Sequence, residues 1–272
     1  MQSLRHQLGL NTSKMAGALR SVLVESPETL EAKAGRMLDV LLVNEAAGEK
    51  CDLEKARRLL NSGADPDTAD TVFRRTPLMY ACMKGNIGLC RLLMDKGADA
   101  EARDLYDRKT PLIFAAESGN AAIVRLLLDG NANPNAATFY DQDHPIDRSV
   151  LMFAADKGDV ETVNLLIGRG ADVKHREHNQ KTALMFAAER GHAEACAILI
   201  NCKAEIDARS SLMGMTSLML AAENGRADVC ALLLDAGADP ALRDSLGRTA
   251  LDIANEFGRG DAARLISGRA GQ

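Results

Sequence analysis

Six stretches of this chain repeat one short pattern: TPLMYA from Thr76, TPLIFA from Thr110, SVLMFA from Ser149, TALMFA from Thr182, TSLMLA from Thr216 and TALDIA from Thr249. Their starts lie 34, 39, 33, 34 and 33 residues apart, and a glycine follows each start by nine residues: Gly85, Gly119, Gly158, Gly191, Gly225 and Gly258. A fixed period of this length means one supersecondary unit copied along the chain, each copy burying its neighbour's apolar face. Stacks of that kind present surfaces more readily than reaction centres.

Each copy reads as a set of physical instructions. The opening Ser or Thr is placed to cap a helix by accepting a backbone N–H. Pro77 and Pro111 sit at the first helical position, where a missing N–H costs little. Leu78, Leu112, Leu151, Leu184, Leu218 and Leu251 then point to the core. Paired alanines such as Ala115–Ala116 and Ala187–Ala188 let neighbouring helices approach closely. The glycine at offset nine ends the helix in a left-handed turn. A second helix carries an apolar pair near its end, from Leu92–Leu93 to Leu233–Leu234, and Gly-Ala-Asp follows at 63–65, 97–99, 170–172 and 237–239. Asn131 and Lys203 replace that turn glycine in two copies. Asn tolerates the left-handed region, whereas Lys203 costs about 1 kcal/mol there.

Composition agrees. Of the 272 residues 46% are hydrophobic but only 3% are aromatic, so small apolar side chains do most of the filling. The formal net charge of -5 argues against a general affinity for nucleic-acid phosphates, which needs clustered basic charge. No apolar run approaches the roughly 20 residues of a membrane-spanning helix. Three of the six cysteines, Cys90, Cys196 and Cys230, occupy one slot of the second helix that Val124 and Val163 fill elsewhere. They read as small core residues rather than disulfide partners, which fits a reducing compartment.

These motifs closely resemble the ankyrin repeat over roughly residues 38–270. The match is specific because cap, helix-ending glycine and Gly-Ala-Asp recur in phase. The histidine of the family's signature is absent throughout: Met79, Ile113, Met152, Met185, Met219 and Asp252 stand in its place. The resemblance implies an all-α solenoid of about seven helix-pair repeats with short hairpin loops. The first repeat, 41–65, lacks the Thr-Pro-Leu start, and it and the last act as caps. Residues 37–270 are then the repeat domain and 1–36 an N-terminal extension, partly helical. Ser26-Pro27-Glu28 is a helix start whose helix is expected to run through Met37 and Leu41 into the first repeat. Residues 1–24 carry Arg5, Lys14 and Arg20 and no acidic residue, which leaves open a docked helix, a tail or a mitochondrial presequence.

The sequence offers little chemistry. It has no phosphate loop, G-x-S-x-G elbow or H-E-x-x-H. His175 and His178 lack further ligands at a zinc-like spacing. Asp141, Asp143 and Asp147 lack the calcium-loop pattern. No metal and no cofactor are expected. An enzyme would need an unrecognised site in the 131–148 insertion, where the 39-residue interval exceeds the period by about six.

The resemblance instead implies a non-enzymatic protein-binding module: an adaptor, scaffold or assembly factor, cytoplasmic or nuclear, contacting its partner through loop tips and the concave helical face. The alternative is a fixed structural subunit of a large complex, anchored by its N-terminal segment. Hairpin tips in this family are usually polar, yet five of six here carry a large apolar residue. Phe73, Tyr106, Phe139, Tyr140, Leu212 and Met213 form either an exposed contact row or side chains folded onto neighbouring tips. Tyr80, Phe114, Phe153, Phe186 and Leu220 share one first-helix position, as core or as concave lining. Behind them Met83, Lys84, Glu117, Glu189 and Arg190 belong to a ridge of mixed charge, the second candidate contact surface.

Overall fold

The computed structural model describes residues 27–139 and 147–269, with side chains described from residue 31. Tyr140, Asp141, Asp143 and the basic stretch 1–24 lie outside the described residues. Fourteen α-helices and no strand occur among those described, as the repeat pattern requires. The chain falls into two compact units, residues 1–105 and 106–272.

In the first unit α1 (Pro27–Ala47), α2 (Leu53–Asn61), α3 (Pro77–Met83) and α4 (Ile87–Asp95) form two helix pairs. The helix that starts at Pro27 does continue unbroken into the first repeat. Leu38, Leu42, Val43 and Ala46 bury one face of it, at the spacing of a helical stripe. Glu45 near its end is buried and accepts the Asp52 N–H at 2.6 Å and the Lys55 ammonium at 2.5 Å, which ties α1 to the start of α2. α1 packs on α2 and α3, and α2 on α4.

The second unit contains five helix pairs: α5 (Pro111–Ser118) and α6 (Ala121–Asp129), α7 (Val150–Lys157) and α8 (Val160–Gly168), α9 (Ala183–Arg190) and α10 (Ala193–Asn201), α11 (Ser217–Glu223) and α12 (Ala227–Asp235), α13 (Ala250–Glu256) and α14 (Gly260–Arg269). First helices pack on first helices and second helices on second helices, so each unit of sequence becomes one layer. Five of the six expected caps form: Thr76, Ser149, Thr182, Thr216 and Thr249 each accept the N–H three residues on. Thr110 has the same extended backbone, but its hydroxyl makes no cap bond.

The glycines at offset nine have φ between +67 and +88, the left-handed conformation that only glycine adopts cheaply. Three of them have a second task. A Cβ at Gly158 would lie 2.5 Å from the His192 ring, at Gly191 2.7 Å from Arg226, and at Gly225 3.0 Å from Arg259. Those three side chains come from the following repeat and donate back across the glycine. His192 bonds the Asp156 carbonyl at 3.0 Å, Arg226 that of Glu189 at 3.3 Å and Arg259 that of Glu223 at 2.8 Å. The absent Cβ thus admits an inter-repeat tie. Asn131 and Lys203 hold φ of +65 and +67, the conformation of the turn glycines they replace.

The slots expected for the core are core. Leu78, Leu112, Leu151, Leu184 and Leu218 are buried, while Leu251, in the last repeat with no repeat after it, is half-buried. Of the residues in the place of the family's histidine, Met79, Ile113, Met152, Met185 and Met219 are buried too, and Asp252 instead accepts the Thr249 N–H and hydroxyl. All six cysteines are free thiols, with Cys82, Cys90, Cys196 and Cys230 buried. Burial pushes the Cys196 and Cys230 thiols up to about 12.

Candidate protein-binding surface

Four of the hairpin tips are short turns, each clamped by one polar side chain ahead of the cap. Asp70 accepts the N–H groups of Val72, Phe73 and Arg75 at 2.7–2.9 Å and the Tyr80 hydroxyl at 3.0 Å. Burial pushes its carboxyl up, but those donors outweigh burial and hold it below the usual carboxylate range. Asp244 accepts the Leu246 and Arg248 N–H groups and the Arg248 guanidinium in the same way. Glu177 and Ser210 clamp the tips ahead of Lys181 and Met215. The residue two before the cap is left-handed in five tips: Arg74, Arg108, Gln180, Gly214 and Gly247.

Successive tips are also stitched together within each unit. In the first unit the Leu105 N–H donates to the Phe73 carbonyl at 2.8 Å. In the second the Phe139, Ser211 and Ser245 N–H groups donate to the carbonyls of Asp107, Asn179 and Met213 at 2.8–2.9 Å. At the base of the insertion the Thr138 N–H donates to the Arg148 carbonyl at 3.0 Å, and Ala137 pairs with Ser149 in a single antiparallel bridge.

With the backbone fixed this way, the apolar tip side chains stay out in solvent. Leu212 is 75% exposed, Leu246 65%, Tyr106 and Phe139 49%, and Met213 and Phe73 close to 40%. The Phe73 ring lies under the Arg75 guanidinium at 4.6 Å, so it is partly covered.

The ridge looks different from its sequence. The residue just before the cap is basic in five repeats. Arg75 turns to Asp104 and the Phe73 ring, but in the other four the long side chain ends on the acid seven positions after the cap, and in three of these it also passes the ring four positions after it. Lys109 reaches Glu117 at 2.8 Å, Arg148 reaches Asp156 at 2.8 Å, Lys181 reaches Glu189 at 2.8 Å and Arg248 reaches Glu256 at 2.7 Å. On the way Lys109 lies 5.8 and 5.6 Å from the Phe114 and Phe153 ring centres. Arg148 lies 4.3 and 4.2 Å from Phe153 and Phe186, and Lys181 5.4 Å from Phe186. Rings and cations therefore alternate along the first-helix face, held by cation–π attraction and ion pairs together. Burial pushes the Asp156 carboxyl up, but Arg148 and Arg190 prevail and hold it low.

The ridge residues expected to offer mixed charge are thus engaged inside the chain. Glu117 and Glu189 are bound by lysines, and Arg190 bonds Asp156 at 2.8 Å. The Lys84 ammonium donates to the carbonyls of Ala47 and Gly48 at the end of α1. Met83 is exposed. Phe114 is buried, whereas Tyr80, Phe153 and Phe186 are half-buried, so this row is part core and part lining. The basic residues ahead of the caps went unnoticed in the sequence, although their recurrence at 75, 109, 148, 181 and 248 was the available signal.

No group of three or more His, Cys, Asp or Glu side chains among the described residues could hold a metal ion. The His175 Nε2 bonds the Asp147 carbonyl at 2.8 Å. No helix among the described residues is long and apolar enough to cross a membrane.

A family model described as ankyrin repeats (3 copies) matches residues 43–138 and 151–244. Among solved structures, the crystal structure of the human ASB11 ankyrin repeat domain superposes with a TM-score of 0.72 at 24% identity, over 84% of this chain and 96% of that one. That likeness concerns the fold. No curated protein sequence matches the chain.

Proposed function

The chain belongs to the ankyrin-repeat family, whose fold typically serves as a non-enzymatic protein-interaction module, and we propose that it acts as an adaptor, scaffold or assembly factor that holds a protein partner on its hairpin tips and first-helix face. Residues 37–270 supply the repeats, and 1–36 are an extension whose helix is continuous with them. The observation that carries this reading is the set of large apolar side chains held in solvent on clamped, mutually bonded tips: Phe73, Tyr106, Phe139, Leu212 and Met213, with Tyr140 adjoining in sequence. Exposed apolar side chains on a rigid backbone bind with little ordering cost. Since Glu117 and Glu189 are neutralised internally, the tips provide the apolar anchors, and Met83, Lys84, Glu117, Glu189 and Arg190 form a polar flank. The buried free thiols support a reducing compartment, cytoplasmic or nuclear.

Alanine at each tip position tests the proposal. Partner capture from a native lysate should fall, while unfolding stability shifts by under about 1 kcal/mol, as for surface changes. Binding that survives alanine at all six positions would refute the tip assignment. Loss of about 3 kcal/mol or more at each would show that the side chains pack as core.

A further inference from the structure

Among the six capped repeats, one lacks the basic residue of the ladder. In the repeat that opens at Thr216, Met215 stands where the others have Lys or Arg, and Leu220 stands where Phe186 and Phe153 stand in the two repeats before. Both are buried. The acid seven positions after the cap is still there, as Glu223. A methionine ends short of that carboxylate and cannot neutralise it. No ion pair or hydrogen bond reaches the Glu223 carboxylate from the described residues. Arg259 bonds its backbone carbonyl, and the Asn224 side chain turns to the Leu220 carbonyl.

At this rung the surface opens into a groove of about 430 Å³. Leu212 and Met213 of the tip form its rim, Phe186, Met215 and Leu220 its floor, and Glu223 lies on its wall. Two other acids line it but already have partners: Glu189 is held by Lys181, and Glu177 clamps its own loop. Arg248 at the far side is held by Asp244 and Glu256. The groove therefore combines an apolar strip, Phe186, Leu212, Met213, Met215 and Leu220, with one uncompensated negative charge.

We propose that this groove receives a partner peptide segment carrying an arginine next to a long apolar side chain, the arginine completing the missing rung on Glu223. This deepens the protein-binding reading above and rests on it. The chain itself shows the geometry such an arginine would adopt. Arg148 lies over two rings at 4.2–4.3 Å and bonds Asp156 at 2.8 Å. A guanidinium suits the site better than an ammonium because it is planar, weakly hydrated and able to lie on an apolar floor while bonding a carboxylate. The neighbouring apolar side chain covers Leu212 and Met213, whose exposure is otherwise unfavourable.

The test selects a random twelve-residue displayed peptide library on the immobilised full chain, then repeats the selection on Glu223→Gln and Met215→Arg. The second variant supplies the rung from within, with the residue type found at that position in other repeats. Wild type should enrich peptides with arginine within three residues of Leu, Ile, Met or Phe. Such a peptide should shift the methyl carbon resonances of Met213 and Met215. It should bind each variant about tenfold more weakly or worse. Enrichment without arginine, arginine enrichment that persists on Glu223→Gln, or no enrichment at all would overturn the assignment. A peptide that binds without moving the two methionine signals would overturn it too, while leaving the protein-binding reading to the tip variants. Should Met215→Arg fail to fold, Glu223→Gln, a change at a half-exposed position, decides alone.

Discussion

Gly119 and Gly158 hold the same place in successive repeats, with φ of +73 and +70, and alanine at the two sites separates backbone strain from crowding. At Gly119 an added Cβ meets nothing within 4 Å, so only the left-handed backbone is penalised, by about 1 kcal/mol. At Gly158 the same atom would lie 2.5 Å from Cγ and Nδ1 of His192. Non-bonded carbons want about 3.5 Å or more, so the ring has to move by roughly 1 Å. Moving it breaks the 3.0 Å bond to the Asp156 carbonyl, a further cost of about 1 kcal/mol. Gly119→Ala should therefore cost about 1 kcal/mol and Gly158→Ala about 2 kcal/mol. Urea unfolding followed by far-UV circular dichroism reads both. The double variant Gly158→Ala/His192→Ala sharpens the test. With the ring gone, the alanine should cost only its backbone share, so the two changes should couple by about 1 kcal/mol or more. Equal losses at Gly119 and Gly158, or additive behaviour in the double variant, would refute the claim that the missing Cβ admits an inter-repeat tie.

Lys203→Gly should stabilise the protein by about 1 kcal/mol in the same assay, because the native φ of +67 suits glycine and strains lysine; a loss would mean the Lys203 side chain matters more than its backbone. Alkylation of the native protein at pH 8, read by mass spectrometry, should modify half-exposed Cys202 first and leave Cys82, Cys90, Cys196 and Cys230 unmodified until unfolding; early labelling of Cys196 would contradict its burial. The Asp156 carboxyl is held below its ordinary value of 3.8, so its contribution to stability is full above that value and is lost as pH falls through the lowered one. Asp156→Asn should thus flatten the decline of stability in acid below about pH 4, and an unchanged slope would show that Arg148 and Arg190 do not hold the carboxylate.

What was legible in the sequence and what was not divide along a physical line. The period, the caps, the left-handed glycines, the strained Lys203 and the buried slot shared by Cys90, Cys196 and Cys230 each follow from a local backbone rule. Six copies make such a rule hard to misread. The exposed tips were half legible: composition marked Leu212 and Phe139, but whether they face water depends on clamps such as Asp70 and Asp244, which act through the loop's own N–H groups. The ladder was not seen, because its members are eight residues apart across a helix cap. That spacing is neither the three or four of a helix nor the two of a strand, so Glu117 and Glu189 looked like free ridge charges while Lys109 and Lys181 looked like loop residues. Nor do the ties of His192, Arg226 and Arg259 show in any one repeat, since each reaches back across a glycine into the repeat before. Met215 could not stand out until the rule it breaks was known. Taken alone, a methionine before a threonine is unremarkable; in a file of cations each ending on an acid, it leaves Glu223 uncompensated on the wall of a groove with an apolar floor. Glu117, Asp156, Glu189 and Glu256 already hold a cation of this chain, so a partner's arginine would have to displace it there, whereas at Glu223 it meets an unpaired carboxylate.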